Sequence, residues 1–362
     1  MSDFVLDEFV GWYVVNGRDT TLLTWGAEGG LVLFGMRDTL FANRFLPLGD
    51  DRFRRTHGAD SSALVRFARD DGTVAAFEPV EPAGTWSAPR IRGPYSMREV
   101  RFRSDSLVLA GTVFTPSGEG PHPGVVMIHG SGASSRDNSW YMSIVDALAR
   151  RGIVVLLPDK RGSGQSRGDW ETAGFDDFVA DARAGAALLR ADSRVDPRRI
   201  GYVGISQGGR IAPMAASDSI AFVVNVSGAA VPLGEQLRHE TTQDLRRSSW
   251  PRFLHPLVRS VTIRSVTRRR PEWWDAHGAL DPLPSWEALA VPGLVVYGSE
   301  DEYDNVPVAR SVERLRALGK PSLTIQVYQG SGHGLYEPGR LRIRSDFLEF
   351  LTDWVHSAGQ GQ

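Results

Sequence analysis

The chain has 362 residues, 41% apolar and 23% charged, with a formal net charge of −2 and no cysteine. That length exceeds what one hydrophobic core usually supports, so one large domain with a smaller companion is expected. The missing cysteine excludes disulfides, thiolate metal sites and cysteine nucleophiles, and the near-neutral charge argues against nucleic acid or an anionic membrane as a partner.

The opening residues, MSDFVLDEFVGW, carry acids where a signal peptide would carry basic residues. No stretch approaches the roughly 18 apolar residues of a membrane span. A soluble, cytoplasmic protein is expected. Up to about Ala88 the chain reads as short strands at Val10–Val15, Thr20–Trp25, Leu31–Phe34, Leu64–Ala68 and Thr73–Phe77. Turn signals separate them at Asn16-Gly17, Glu28-Gly29-Gly30, Leu48-Gly49-Asp50-Asp51 and Asp70-Asp71-Gly72. No helix-period segment interrupts the series, which predicts a small antiparallel β domain over residues 1–90. Its pattern, FVGWYVV…LVLF…FLPLGDDRF…VRFARDDGTV, resembles the small β domain of some penicillin-binding-protein-like serine hydrolases. The Pro- and Gly-rich segment EPAGTWSAPRIRGPYS reads as a linker.

From about Met97 the rhythm changes. A hairpin (Val100–Phe102, Val108–Phe114) leads to the apolar run GVVMIHG, a buried-strand pattern. Helices are predicted at Trp140–Arg151, Phe175–Ala191, Gly208–Ala216, Val308–Leu318 and Leu341–His356. Strands IVVLLPD, RIGYVGI, AFVVNVSG, GLVVYGS and LTIQVYQ alternate with them. This alternation predicts an α/β fold, a doubly wound, mostly parallel sheet with right-handed crossovers, over residues 97–228 and 291–362. Ligands in such sheets bind beyond the carboxyl ends of the strands.

G-x-S-x-G occurs twice, as Gly204-Ile-Ser206-Gln-Gly208 and as Gly164-Gln-Ser166-Arg-Gly168. A serine nucleophile needs a strand, a sharp turn exposing the hydroxyl and a following helix. Ser206 has that frame, between RIGYVGI and GGRIAPMAA. Ser166, inside RGSGQSRGDW, has no helix after it and reads as a loop residue. A serine hydroxyl becomes nucleophilic when an imidazole takes its proton and a carboxylate fixes that imidazole's tautomer. His333, between glycines in GSGHG after the last strand, is the candidate base. The acid should follow LVVYGS, where Glu300, Asp301, Glu302 and Asp304 stand. Backbone N–H groups serve a developing oxyanion. One is expected from Gln207, at a helix N-terminus, and the other from Ser131, with Gly132 second, in the loop after GVVMIHG. His129 reads as support for that loop.

The segments VVMIHGSG, LLPDKRGSGQSRGDW, RIGYVGISQGGRIAP, VVYGSED and GSGHG resemble the α/β-hydrolase superfamily, specifically its prolyl-oligopeptidase-like and acyl-thioesterase-like bacterial branches. The resemblance spans about residues 97–356. It implies Ser206, Asp301 and His333 as a catalytic triad and Ser131 and Gln207 as oxyanion donors. Asp301 has the family's placement three residues past Gly298, while Asp304 stands closer to the Val306-Pro307 that often trails the acid.

Residues 229–290 are too long for a simple connection. They resemble the helical cap that covers the site in this superfamily. Trp250, Trp273, Trp274 and Trp286 are candidates to line an acyl pocket or to anchor the cap. Arg264 and Arg268–Arg270 are candidates for an anionic group, with a solvated helix face as the plainer reading. His239, His255 and His277 lack metal-type spacing, so no metal and no cofactor is expected. The expected activity is serine esterase or thioesterase chemistry on a small acyl substrate. A peptidase, or an acyltransferase or cyclase, would use the same triad, and a catalytically silent binding protein is the contrasting class. Exposed edges of the β domain would make a homodimer plausible.

Overall fold

The computed structural model describes residues 6–27, 29–35, 43–56, 63–80, 86–340 and 342–358. Eight antiparallel strands come first: β1 (Gly11–Val15), β2 (Asp19–Trp25), β3 (Leu31–Gly35), β4 (Asn43–Gly49), β5 (Arg52–Arg55), β6 (Leu64–Asp70), β7 (Thr73–Pro79) and β8 (Ala88–Ile91). Each pairs with the next, and β8 returns to β1 through Trp12↔Ile91 and Tyr13↔Arg90, closing a barrel. Asn16-Gly17 and Asp71-Gly72 turn two hairpins with positive φ at both residues (52° and 67°, 46° and 80°), the geometry of a type I′ turn. Rings of Phe9, Tyr13, Phe53, Phe67 and Phe77 fill the interior, with centroids such as Phe9–Phe53 5.1 Å apart.

Closure corrects two expectations. The segment read as a linker contains β8, whose four residues pair Trp12 and Tyr13 on one side and Ala76 and Phe77 on the other. Its ladder therefore leaves no open edge between the first and last strands, which removes the edge-pairing argument for a dimer. Strands β4 and β5 also escaped the sequence reading. Glu28 of the second turn signal and Leu341, the expected start of the last helix, lie outside the described residues.

The second layer system starts with the long hairpin β9 (Tyr95–Ser104) and β10 (Leu107–Pro116), followed by β11 (His122–Ile128), α1 (Ser139–Arg150), β12 (Val154–Pro158), α2 (Phe175–Arg190), β13 (Val195–Ile205), α3 (Gln207–Ala215) and β14 (Phe222–Val226). Four helices intervene: α4 (Leu233–Arg247), α5 (His255–Arg268), α6 (Pro271–His277) and α7 (Leu283–Ala288). The chain returns with β15 (Gly293–Gly298), α8 (Val308–Ala317), β16 (Leu323–Tyr328) and α9 (Ser345–Ala358). The sheet order is β16-β15-β14-β13-β11-β12-β10-β9. Strands β11 to β16 run parallel, and β10 runs antiparallel to both its neighbours, β12 and β9. The central strands are buried on both faces, which is why they read as unbroken Val/Leu/Ile runs.

The barrel is joined to this sheet by shared packing. Trp12, Leu22, Val32 and Phe34 belong to the same buried cluster as Tyr95, Phe114 and Ile144. The indole N–H of Trp12 donates to the Tyr95 carbonyl at 3.1 Å, and the Arg150 guanidinium lies 5.0 Å from the Trp12 ring. Polar contacts extend the joint. Asp137 accepts from Ala27 N–H at 3.4 Å and pairs with Arg44 at 2.8 Å. Next to it, Arg136 is fully buried on Asp159 at 2.8 Å and reaches Glu99 at 2.9 Å. Removing one partner of a buried pair costs about 3–5 kcal/mol, because the other charge is left without water or counter-ion. These contacts fix the loop between β11 and α1 from behind. Among the described residues, no helix is long and apolar enough to cross a membrane.

Candidate active site

Ser206 sits between the end of β13 and the first residue of α3, with φ 53° and ψ −114°. A non-glycine residue at positive φ is strained and persists only where its surroundings enforce it. Here the flanking glycines do so by letting backbones touch. A Cβ on Gly204 would lie 2.0 Å from the Gly208 carbonyl oxygen, and one on Gly208 would lie 2.1 Å from that of Ile128. The amide of Ser206 donates to Val226 at 2.8 Å, tying the turn to the neighbouring strand. The other pentapeptide is different. Ser166 is buried, donates its hydroxyl to the Asp159 carbonyl at 2.7 Å and accepts from Ala110 N–H at 2.9 Å. That hydroxyl holds a loop together.

His333 lies in the loop after β16, and Asp301 in the turn after β15. The structure brings these two together. His333 Nδ1 donates to Asp301 Oδ2 at 2.7 Å, and Asn305 N–H donates to Asp301 Oδ1 at 3.2 Å. Asp301 is wholly buried. Asp304, the other candidate, is 45% exposed and pairs with Arg247 at 2.8 Å. Burial pulls the His333 imidazole towards the neutral form, but the hydrogen bond and charge of Asp301, aided by Asp304 and Glu240, outweigh it and hold the pKa above its ordinary value. With Nδ1 committed to Asp301, Nε2 is the nitrogen left to exchange a proton.

Ser131 and Gly132 stand across from Ser206 and Gln207 on the wall of one cavity, which His333 also lines. Gly130 N–H is taken by the Tyr141 hydroxyl at 2.8 Å, so Ser131 offers the next amide of the loop. The Gln207 amide is in the first turn of α3, where backbone donors have no partner within the helix. His129 is buried, accepts from the Ser134 hydroxyl at 2.8 Å and donates to the Pro158 carbonyl at 2.6 Å. Burial drives its pKa down to about 4, so it is a neutral brace for the loop.

Sequence reasoning passed over Lys160. Its ammonium donates to the Gly130 carbonyl at 2.6 Å and to Gln207 Oε1 at 2.9 Å, and lies 4.6 Å from the Phe178 ring centroid. It thus ties the β11–α1 loop to the residue after Ser206. Burial lowers its pKa to about 8, opposed by the charge of Asp181. The available signal was compositional, since only Lys160 and Lys320 are lysines among 41 basic residues. A compact ammonium reaches two acceptors at a depth where a planar guanidinium would need more room.

The cavity encloses about 630 Å³. Helices α4, α5 and α6 roof it with Leu233, Leu237, Val266, Trp273 and Trp274, and Trp170 and Phe178 rise from below. The four tryptophans considered from the sequence therefore divide. Trp273 and Trp274 face the cavity, Trp250 is 52% exposed, and Trp286, at 1%, anchors α7 in the core under the sheet. Of the arginines, Arg269 and Arg270 reach the cavity wall, with Arg210 from α3. No barrel residue is among the residues lining it.

The fold agrees with the comparisons to known proteins. An uncharacterised protein of Mycobacterium tuberculosis is 30% identical over 253 residues, covering 69% of this chain and 76% of that one. Esterase EstD of Thermotoga maritima is 28% identical over 286 residues, covering 75% of this chain and 68% of its own. Among solved structures, an esterase of Pyrococcus furiosus superposes with a TM-score of 0.51 at 21% identity, over 74% of this chain and 90% of that one. The sequence profile described as "Alpha/beta hydrolase family" matches residues 125–340. That span is more than half of the chain, and the protein is a member of the Alpha/beta hydrolase family, with its eight-stranded barrel outside the matched residues.

Proposed function

We propose that the protein is a serine hydrolase that cleaves a carboxylic ester or thioester through an acyl-enzyme. The observation that carries this reading is the pairing of His333 with the buried Asp301, at the same cavity as the strained Ser206. In the proposed reaction Ser206 Oγ attacks the substrate carbonyl while His333 Nε2 takes its proton. The tetrahedral oxygen is met by the amides of Ser131 and Gln207, which are fixed before reaction and gain most as charge develops. His333 returns the proton to the departing alcohol or thiol, and a water deprotonated by the same imidazole releases the acid. Support for an ester comes from the related esterase EstD and from motifs resembling the acyl-thioesterase-like branch. The apolar roof suits an acyl chain.

The test is a fluorophosphonate probe followed by peptide mapping, with a panel of p-nitrophenyl esters, acyl thioesters and aminoacyl anilides. Labelling at Ser206 and turnover of esters or thioesters are expected. Labelling at another residue, or none in folded protein, rules the reading out, and faster cleavage of anilides moves it to a peptidase.

Lys160 enters this scheme as a positioning residue. Lys160→Met should lower kcat by about ten- to a hundredfold, less than the roughly hundred- to thousandfold loss when an oxyanion donor is removed outright, and should leave KM largely unchanged. A loss confined to KM would show that Lys160 serves binding instead.

A further inference from the structure

The cap carries a second recognition element, at the junction of α5 and α6. Arg270 ends the segment between these helices, and its guanidinium lies 4.5 Å from the Trp273 ring centroid. That ring is itself fixed. Trp273 stacks on His277 with centroids 4.7 Å apart and planes 25° from parallel, and its indole N–H donates to the Ala173 carbonyl at 2.9 Å. His277 is held in turn by the Trp273 carbonyl at 2.8 Å. An arginine mounted on such a stack loses its freedom at folding, so little remains to be lost when it grips a ligand.

The other cations on the cavity wall differ in how they are used. Arg210 donates to the Val231 carbonyl at 2.7 Å and to Gln236 Oε1 at 2.6 Å. Lys160 is committed to Gly130 and Gln207. Arg269 is exposed. In Arg270, by contrast, Nη2 is buried and has no hydrogen-bond partner. A buried guanidinium N–H without an acceptor is unfavourable, and it leaves this fork short of an acceptor on the cavity wall that Arg270 lines.

The acids nearby do not fill that place. Asp169 feels the charge of Arg270, but its carboxylate is occupied by Glu171 N–H at 2.8 Å and the Thr172 hydroxyl at 2.9 Å. Glu240 is the acid on the cavity wall. It accepts from Gln236 Nε2 at 2.9 Å, and burial favours its neutral form. The wall therefore carries Lys160, Arg210, Arg269 and Arg270 against one acid, Glu240.

We infer that the substrate carries a carboxylate remote from its scissile carbonyl, and that Arg270, propped on Trp273, binds that carboxylate while Ser206 addresses the carbonyl. A planar guanidinium matches a planar carboxylate by two parallel N–H···O bonds. The substrate class is then the half-ester or half-thioester of a dicarboxylic acid, or an ester with an acidic tail. This inference rests on the serine hydrolase reading for its reaction, but the binding site stands apart from it.

The experiment has two arms. In the first, wild type, Arg270→Gln and Arg270→Lys are assayed on mono-p-nitrophenyl esters of succinate, glutarate, adipate and suberate, and on neutral esters of matched length. At one chain length the wild type should favour the acidic ester, and Arg270→Gln should lose about ten- to a hundredfold in kcat/KM on it, the range for a charge-assisted hydrogen bond. The loss should fall mainly on KM, leave the neutral partner nearly unchanged and be partly restored by Arg270→Lys. Equal losses on acidic and neutral esters, or no Arg270-dependent preference at any length, overturn the inference. In the second arm, calorimetry follows the matching free dicarboxylate with the Ser206→Ala protein and with Ser206→Ala/Arg270→Gln. Binding to the first and loss in the second is expected, whereas equal binding, or none to either, overturns the site. Because this arm needs no turnover, it separates failure of the carboxylate site from failure of the hydrolase reading.

Discussion

Ser206→Ala should lower kcat on the best ester by about a millionfold, the scale found when a triad nucleophile is removed. The substitution deletes one oxygen and nothing else. Alanine suffers at φ 53° much as serine does, and the hydrogen bond from its backbone N–H to the Val226 carbonyl is untouched. Stability should therefore hold, and unchanged thermal melting is part of the expected result. Fluorophosphonate labelling should vanish with the activity. Substantial remaining turnover would show that another group attacks the substrate. Ser166 is poorly placed to be that group, since its hydroxyl is spent on the Asp159 carbonyl.

The second large effect separates two acids three residues apart. Asp301→Asn should cost about ten-thousandfold in kcat, because the amide cannot hold His333 in the tautomer that leaves Nε2 basic. Asp304→Asn should matter little: it weakens an exposed pair with Arg247, and such pairs contribute about 0–1 kcal/mol. The pH profile gives an independent reading. The base works only when neutral, so kcat/KM falls as the pH drops through the imidazole pKa. Asp301 holds that pKa above the ordinary value of 6.5. Its loss should move the acid limb to lower pH. If Asp304→Asn were the crippled variant, the pairing seen here would not be the working one.

The elbow was legible in the sequence because its requirement is steric and local. Gly204 and Gly208 are dictated by carbonyls about to touch, and the flanking strand and helix have distinct periods. The acid was less legible. Spacing from Gly298 points to Asp301 and nearness to Val306-Pro307 points to Asp304, and it is burial beside His333 that separates the two in space. Strands β4, β5 and β8 were missed for a related reason. Pro47 interrupts one, Arg dominates another, and the third has four residues inside a Pro- and Gly-rich run, so each owes its conformation to neighbours across the barrel. Trp286 and Lys160 show the same limit. An apolar side chain in an insert does not announce that it will reach the core, and a lysine does not announce which carbonyls it will meet.

The seam between barrel and sheet sets an order on synthesis. The barrel strands leave the ribosome first, yet Trp12 finds its cover only when Tyr95 and then Arg150 of α1 have been made. Until that point the face formed by Trp12, Leu22, Val32 and Phe34 is bare on a nascent chain, a surface of the kind that recruits chaperones or other unfinished chains. Asp137, which accepts from Ala27 and pairs with Arg44, emerges in the same interval. The loop that carries Ser131 is thus set against a barrel already translated, well before Ser206, Asp301 and His333 exist to use it.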